Sequence, residues 1–189
     1  MAERLRVGVI QLRSGIEPSA NRAAALPLLR EAASAGARLV VTPENTHRLD
    51  RDRPRLRAAL ALEDQAAEIR AWGQMAREQG VWLLLGSMPV PAGSEAKVFN
   101  RSVLFTPDGR VAATYDNINL FDVTLGGGET YRESDTVAPG ARAVVADGPQ
   151  GVRLGLSICY DLRFAVLYRA LGKAGAQVIT VPSAFTRPT

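Results

Sequence analysis

The chain holds one cysteine, Cys159, in the stretch "SICYDLRF" running from Ser157 to Phe164. An apolar run there gives way to a helical pattern, which makes the position a strand-to-helix elbow. At such an elbow the N–H groups and positive end of the following turn favour a thiolate and can cradle an oxyanion. A plainer reading fits as well, because a lone cysteine commonly serves as a small buried hydrophobe. A free thiol titrates near ~8.5, so attack at neutral pH requires a base or a depressed pKa. Three residues offer themselves: Glu44 in "VVTPEN", Glu133 in the Gly- and charge-rich "LGGGETYRESDTVAPGAR", and His47, the only histidine. The two acids could meet at a strand-end cleft beside the cysteine, although either one alone reads more readily as surface. His47 lies in a turn ahead of a charged run and also reads as surface.

The elements that must deliver these groups alternate between short β-branched runs and longer amphipathic ones, the pattern of an α/β domain. Strands are expected at Leu5 to Gln11, Ala37 to Glu44 and Val81 to Ser87. A helix is expected at Ala20 to Gly36 and a long one at Arg55 to Gly80, each stopped by its glycine. "NRSVLFTPDGRVAATYDNINL" then reads as a hairpin around Pro-Asp-Gly, so the sheet should be mixed rather than purely parallel. Leu125 to Arg142 shows no period and is expected to be a long surface loop, a kind of segment that is often functional. Two strands around "DGPQG" follow, the second ending at Cys159. Then come a helix at Arg163 to Gly175 and a last strand at Ala176 to Phe185. No repeat, linker or domain boundary appears.

Composition narrows the partners. With 189 residues, 47% hydrophobic and 22% charged, the chain suits one globular domain. The net charge is +4, and all but two of the 23 basic residues are arginine, the exceptions being Lys97 and Lys173. In "RLDRDRPRLR" the arginines alternate with acids and read as a solvated surface, not as a nucleic-acid face with interleaved aromatics. One cysteine permits no intramolecular disulfide, which suits a reducing cytoplasm. One cysteine and one histidine fall short of a structural zinc site. No apolar run approaches the ~20 residues of a membrane helix, and no signal-peptide pattern opens the chain. The expectation is therefore a cytoplasmic protein without metal or cofactor.

Taken in order, "VVTPEN", "GVWLLLGS", "YDNINLFD", "YRESDTVAPG" and "GLSICYDLRF" resemble the nitrilase, or carbon-nitrogen hydrolase, superfamily. Within it the chain is similar to the amidase branch that includes deaminated glutathione amidase and omega-amidase. The resemblance implies an αββα sandwich with mixed sheets, one domain over residues 1–189, and a Glu, Lys, Cys set with a second glutamate. Carried onto this sequence, Glu44 matches the general base, Cys159 the nucleophile and Glu133 the supporting acid. Tyr160 would lend its backbone N–H to the oxyanion. The implied reaction is hydrolysis of a small carboxylated, deaminated-glutathione-like amide through a Cys159 thioester.

Two departures stand out. Ahead of Leu-Phe-Asp the family motif reads Lys, apolar, His, and here those places hold Asn117 and Asn119. An amide at position 117 keeps a donor but loses the charge, which predicts impaired turnover or a homologue that only binds a ligand or partner. An arginine standing in for the cation is an open alternative. Family members also continue past "PSAFTRPT" with a further helix, strands and a tail, so the sandwich is expected to be C-terminally truncated and a homodimer weakened. More distant readings are a redox-sensing thiol protein or a nucleotide-binding domain. The latter fails because "GGGETY" neither follows a clear strand nor opens a helix.

Overall fold

A computed structural model describes residues 4–93, 97–126 and 128–185. Alternation along its central strands decides the architecture. Strands β1 (Val7–Val9), β2 (Leu39–Val41), β3 (Trp82–Pro91), β4 (Val98–Phe105) and β5 (Val111–Asp116) form one sheet in that order. β1, β2 and β3 run parallel, while β4 and β5 are antiparallel to their neighbours. Side chains of a strand alternate between faces. Val40, Leu83, Leu85, Val103 and Phe105 accordingly point to one core, and Leu39, Leu84 and Leu104 to another.

The first core is roofed by helices α1 (Pro18–Ser34) and α3 (Gln65–Gln79), which supply Ala25, Leu29, Trp72 and Ala76. The second core is closed by a smaller sheet of strands β8 (Val144–Asp147), β9 (Arg153–Leu156) and β10 (Val178–Thr180), through Leu154 and Leu156. The remaining strands β6 (Asp122–Thr124) and β7 (Thr130–Arg132) make a separate hairpin. Helix α4 (Ala165–Lys173) covers the outside of the smaller sheet. Gly155 makes that approach possible, since a Cβ there would sit 3.1 Å from Ala176 Cβ and 3.3 Å from Leu171 Cδ1. The layers are helix, sheet, sheet, helix, as the sequence motifs implied. Burial of each large aliphatic side chain in the two cores is worth about 1.5–3 kcal/mol.

Several expected elements take a different form. The helix read as continuous from Arg55 to Gly80 is two, α2 (Arg53–Leu62) and α3, because Glu63 and Asp64 are extended. Asp64 starts the second by accepting from Ala67 N at 3.0 Å, as Asp52 starts the first by accepting from Arg55 N at 3.0 Å. The supposed loop from Leu125 to Arg142 contains β7 and a 3-10 turn at Glu133–Asp135. The last strand shrinks to β10, and residues 186–189 of "TRPT" lie outside the described residues. Both hairpins form as expected, β4 with β5 and β8 with β9. Among the described residues, no helix is long and apolar enough to cross a membrane.

Candidate active site

Cys159 begins a 3-10 turn (Cys159–Arg163) three residues beyond β9, with a φ of 45° that few non-glycine residues adopt. The turn is pinned from both sides. Cys159 N donates to Pro182 O at 2.9 Å, and Ile158 N donates to Asp161 Oδ2 at 2.9 Å. Such a strained backbone persists only where neighbours over-determine it.

Glu44 reaches the same place from the opposite sheet. It sits in a turn after β2 that is clamped onto an irregularity of β3 between Leu85 and Met88. Asn45 N donates to Ser87 Oγ at 2.7 Å, Gly86 N to Thr42 Oγ1 at 2.9 Å, and His47 N to Ser87 O at 3.3 Å. Only glycine fits at position 86, where a Cβ would lie 2.1 Å from Pro43 O and 2.2 Å from Thr42 O. The Glu44 carboxylate accepts from Asn100 Nδ2 and from Ala184 N, both at 2.8 Å, and interacts electrostatically with the Cys159 thiol.

The Leu-Phe-Asp motif positions the second acid. Phe121 N donates to Glu133 Oε2 at 2.7 Å, and Asp122 accepts from both the backbone N, at 3.0 Å, and the hydroxyl of Ser134. The Phe121 ring lies between those of Tyr131 and Tyr160, with centroids 5.3 and 5.0 Å away. Glu44, Asn117, Glu133, Cys159 and Tyr160 all line one cavity of about 770 Å³.

Electrostatics inside this cavity run one way. Burial pushes the Cys159 thiol up to about 12, and the Glu44 and Glu133 charges add to the rise. Burial also raises Glu44, against its hydrogen bonds from Asn100 and Ala184. Glu133 is raised by burial too, with the Phe121 N–H and the Arg53 guanidinium opposing. Cys159 thus rests as a thiol in the same cavity as the buried Glu44 and part-buried Glu133 carboxyl groups.

Asn117 is buried and does not offer the site the spare donor that its residue type suggested. One amide hydrogen goes to Ile158 O at 3.1 Å and the other to Asp161 Oδ2 at 2.9 Å. Both partners are acceptors, which fixes the orientation of the amide. Asn119 donates to Asp161 Oδ1 through its backbone N at 2.9 Å and its Nδ2 at 2.8 Å, and Tyr115 donates its hydroxyl to Oδ2 at 2.6 Å. Asp161 is wholly buried and ties the Asn117 strand end to the Cys159 turn.

His47 is wholly buried, which corrects its reading as a surface residue. Its Nδ1 accepts from the indole N–H of Trp72 at 3.2 Å, so the ring proton is on Nε2, which lies 3.1 Å from Glu63 Oε1. His47, Glu63 and Glu68 bring potential metal-ligating atoms within 4.8 Å of one another. Those atoms are already engaged, Glu68 by Arg22 and Glu63 by Arg48 and Gln65, and the cluster braces the turn that carries Glu44. Residues 6–188 match the family model for carbon-nitrogen hydrolases.

The chain belongs to the carbon-nitrogen hydrolase family. It is 40% identical over 185 residues to the deaminated glutathione amidase of Yersinia enterocolitica, covering 97% of this chain and 64% of that one. The chain therefore spans less than two thirds of that relative's length. Among solved structures it resembles the C. elegans NitFhit protein, with a TM-score of 0.82 and 31% identity over 95% of this chain and 44% of the other. It also resembles a variant amidase from Nesterenkonia sp. AN1, with a TM-score of 0.81 and 26% identity over 96% of this chain and 65% of the other. That amidase carries the acetamide moiety of fluoroacetamide covalently at its active site cysteine.

The sequence reading of this family member missed Asn100, Asp161 and Ala184, which position Glu44 and the Cys159 turn. It also placed the arginines after His47 on a solvated surface, whereas Arg48, Arg51 and Arg53 line the cavity. Alternation of arginine with acid gave no signal that α2 turns its first residues toward the site.

Proposed function

We propose that this chain hydrolyses a small carboxylated amide, of the kind deaminated glutathione represents, through a thioester on Cys159. The observation that carries the reading is the buried Glu44 side chain, fixed by Asn100 and Ala184, lining the same ligand-sized cavity as the Cys159 thiol. Glu44 takes the thiol proton as sulfur attacks the amide carbonyl, and returns it to the departing ammonia. Water activated by Glu44 then cleaves the thioester. Tyr160 N–H pairs with no acceptor among the described residues and is free to meet the oxyanion. Glu133, held by Phe121, supports the amide nitrogen.

The rate is low by this reading. The resemblance puts a lysine at position 117, and here both hydrogens of Asn117 are donated elsewhere. Loss of one preorganised oxyanion donor costs on the order of 10²- to 10³-fold. A second reading, a homologue that binds its ligand without turnover, is favoured by the same two hydrogen bonds.

The test is ammonia release from the half-amide of a dicarboxylic acid. Turnover that disappears in Cys159→Ala supports hydrolysis. Absence of both turnover and any Cys159 adduct supports the binding-only reading.

A further inference from the structure

The cavity is lined by two unlike groups of residues: Cys159 with the buried Glu44 and part-buried Glu133, and four arginines, Arg48, Arg51 and Arg53 from the segment entering α2 and Arg132 from β7. Arg48 is the informative one. Its side chain is 10% exposed, it contacts Glu63 through Nη2 at 3.3 Å, and its Nε is buried with no hydrogen-bond partner. A buried, unpaired guanidinium N–H is costly unless a ligand or solvent group approaches the same side chain. Glu63 does not fully neutralise it, since that carboxylate is shared with His47 and Gln65.

The other three arginines form no ion pair among the described residues. Four acids also line the cavity, and two of them do not balance these arginines. Asp50 is taken bidentately by Arg55, at 2.7 and 2.9 Å, and Glu129 is exposed and accepts from the Tyr131 hydroxyl. Glu44 and Glu133 are already held, Glu44 by Asn100 and Ala184 N and Glu133 by Phe121 N. The arginine group is left with a surplus of positive charge facing a cavity of drug-ligand size.

We propose that Arg48, Arg53 and Arg132 form the subsite that holds a carboxylate at the end of the ligand remote from its amide. The assignment rests on the proposed amide chemistry at Cys159, but the subsite itself is a binding device and works whether or not turnover occurs. Guanidinium groups suit the role because they take a carboxylate through paired N–H donors. Arg51, exposed like Arg132 but on the loop ahead of α2, adds field and no fixed contact.

The test uses Cys159→Ala, which cannot form a thioester. Calorimetric titration compares the half-amide of glutaric acid with its methyl ester, which removes only the charge. The expected result is binding of the acid about 10- to 100-fold tighter than the ester, the range for a charge-assisted hydrogen bond. Arg53→Gln or Arg132→Gln on that background should each cut the preference to about threefold or less, with the ester unaffected, and Arg48→Lys should reduce it as well. Equal affinity for acid and ester, or a preference untouched by all three substitutions, overturns the subsite. Failure of the hydrolase reading looks different: the carboxylate preference persists, but unsubstituted Cys159 forms no adduct and releases no ammonia.

Discussion

Asn117 and Asp161 are joined by a 2.9 Å hydrogen bond that ties the end of β5 to the turn carrying Cys159. Asp161 also accepts from Tyr115, Asn119 and Ile158 N, so a wholly buried side chain is surrounded by neutral donors without a cation. Both hydrogens of the Asn117 amide therefore hold the scaffold.

The first prediction concerns that exchange. Asn117→Lys places an ammonium near Asp161 and the cavity, and a nearby positive charge favours both thiolate and carboxylate. The Cys159 thiol should titrate below its present value of about 12, and the rate of amide hydrolysis should rise on the order of 10²-fold. Iodoacetamide alkylation against pH and an ammonia assay measure the two effects. An unchanged rate with a lowered thiol pKa would show that the missing charge is not what limits turnover.

Asp161→Asn should be destabilising. Three donors converge on Oδ2 and two on Oδ1, so an amide in either orientation leaves at least two of them unpaired. At about 1–3 kcal/mol for each unsatisfied group, the loss should be at least about 2 kcal/mol in urea unfolding. A loss below about 0.5 kcal/mol would mean that the turn is held mainly by the Pro182 contact.

Glu133 gives a pH signature in stability. Its pKa is raised in the folded state, so its contribution is fully present below the unfolded value, near ~4.3, and is lost as pH rises through the folded value. Glu133→Gln keeps an acceptor for Phe121 N and removes the buried charge. Thermal melts should show the variant more stable at pH 7–8, by about 2–4 °C for each kcal/mol relieved, with the advantage gone near pH 4. An advantage independent of pH would contradict the assignment.

Gly86→Ala probes the clamp beneath Glu44. The added methyl meets Pro43 O and Thr42 O at distances no relaxed structure permits, so the turn must shift. Formation of a Cys159 adduct by an amide or ester should fall by about 10²-fold, since small misplacements of a catalytic group have effects of that size. Retention of full reactivity would mean that Glu44 is positioned by Asn100 and Ala184 alone.

Much of this arrangement was legible in the residues. The mixed sheet followed from Pro-Asp-Gly between two strand-like runs, and Cys159, Glu44 and Glu133 do meet in one cavity. What the sequence did not disclose depends on contacts between distant segments. Asp64 looked like one more polar position in a helix, and only its bond to Ala67 N marks a new start. His47 looked exposed because its neighbours are charged, yet Trp72 from α3 closes over its ring. The donor count at Asn117 could not be read from residue type, because it is set by Asp161, 44 positions away.

The central claim is that Cys159 remains a nucleophile served by Glu44. Intact-mass analysis after incubation with a dicarboxylic acid half-amide, or its activated ester, tests it most directly. The account predicts one acyl adduct, located at Cys159, formed slowly and absent from both Cys159→Ala and Glu44→Gln. No adduct on the unaltered protein, or one that forms equally well in Glu44→Gln, would contradict it.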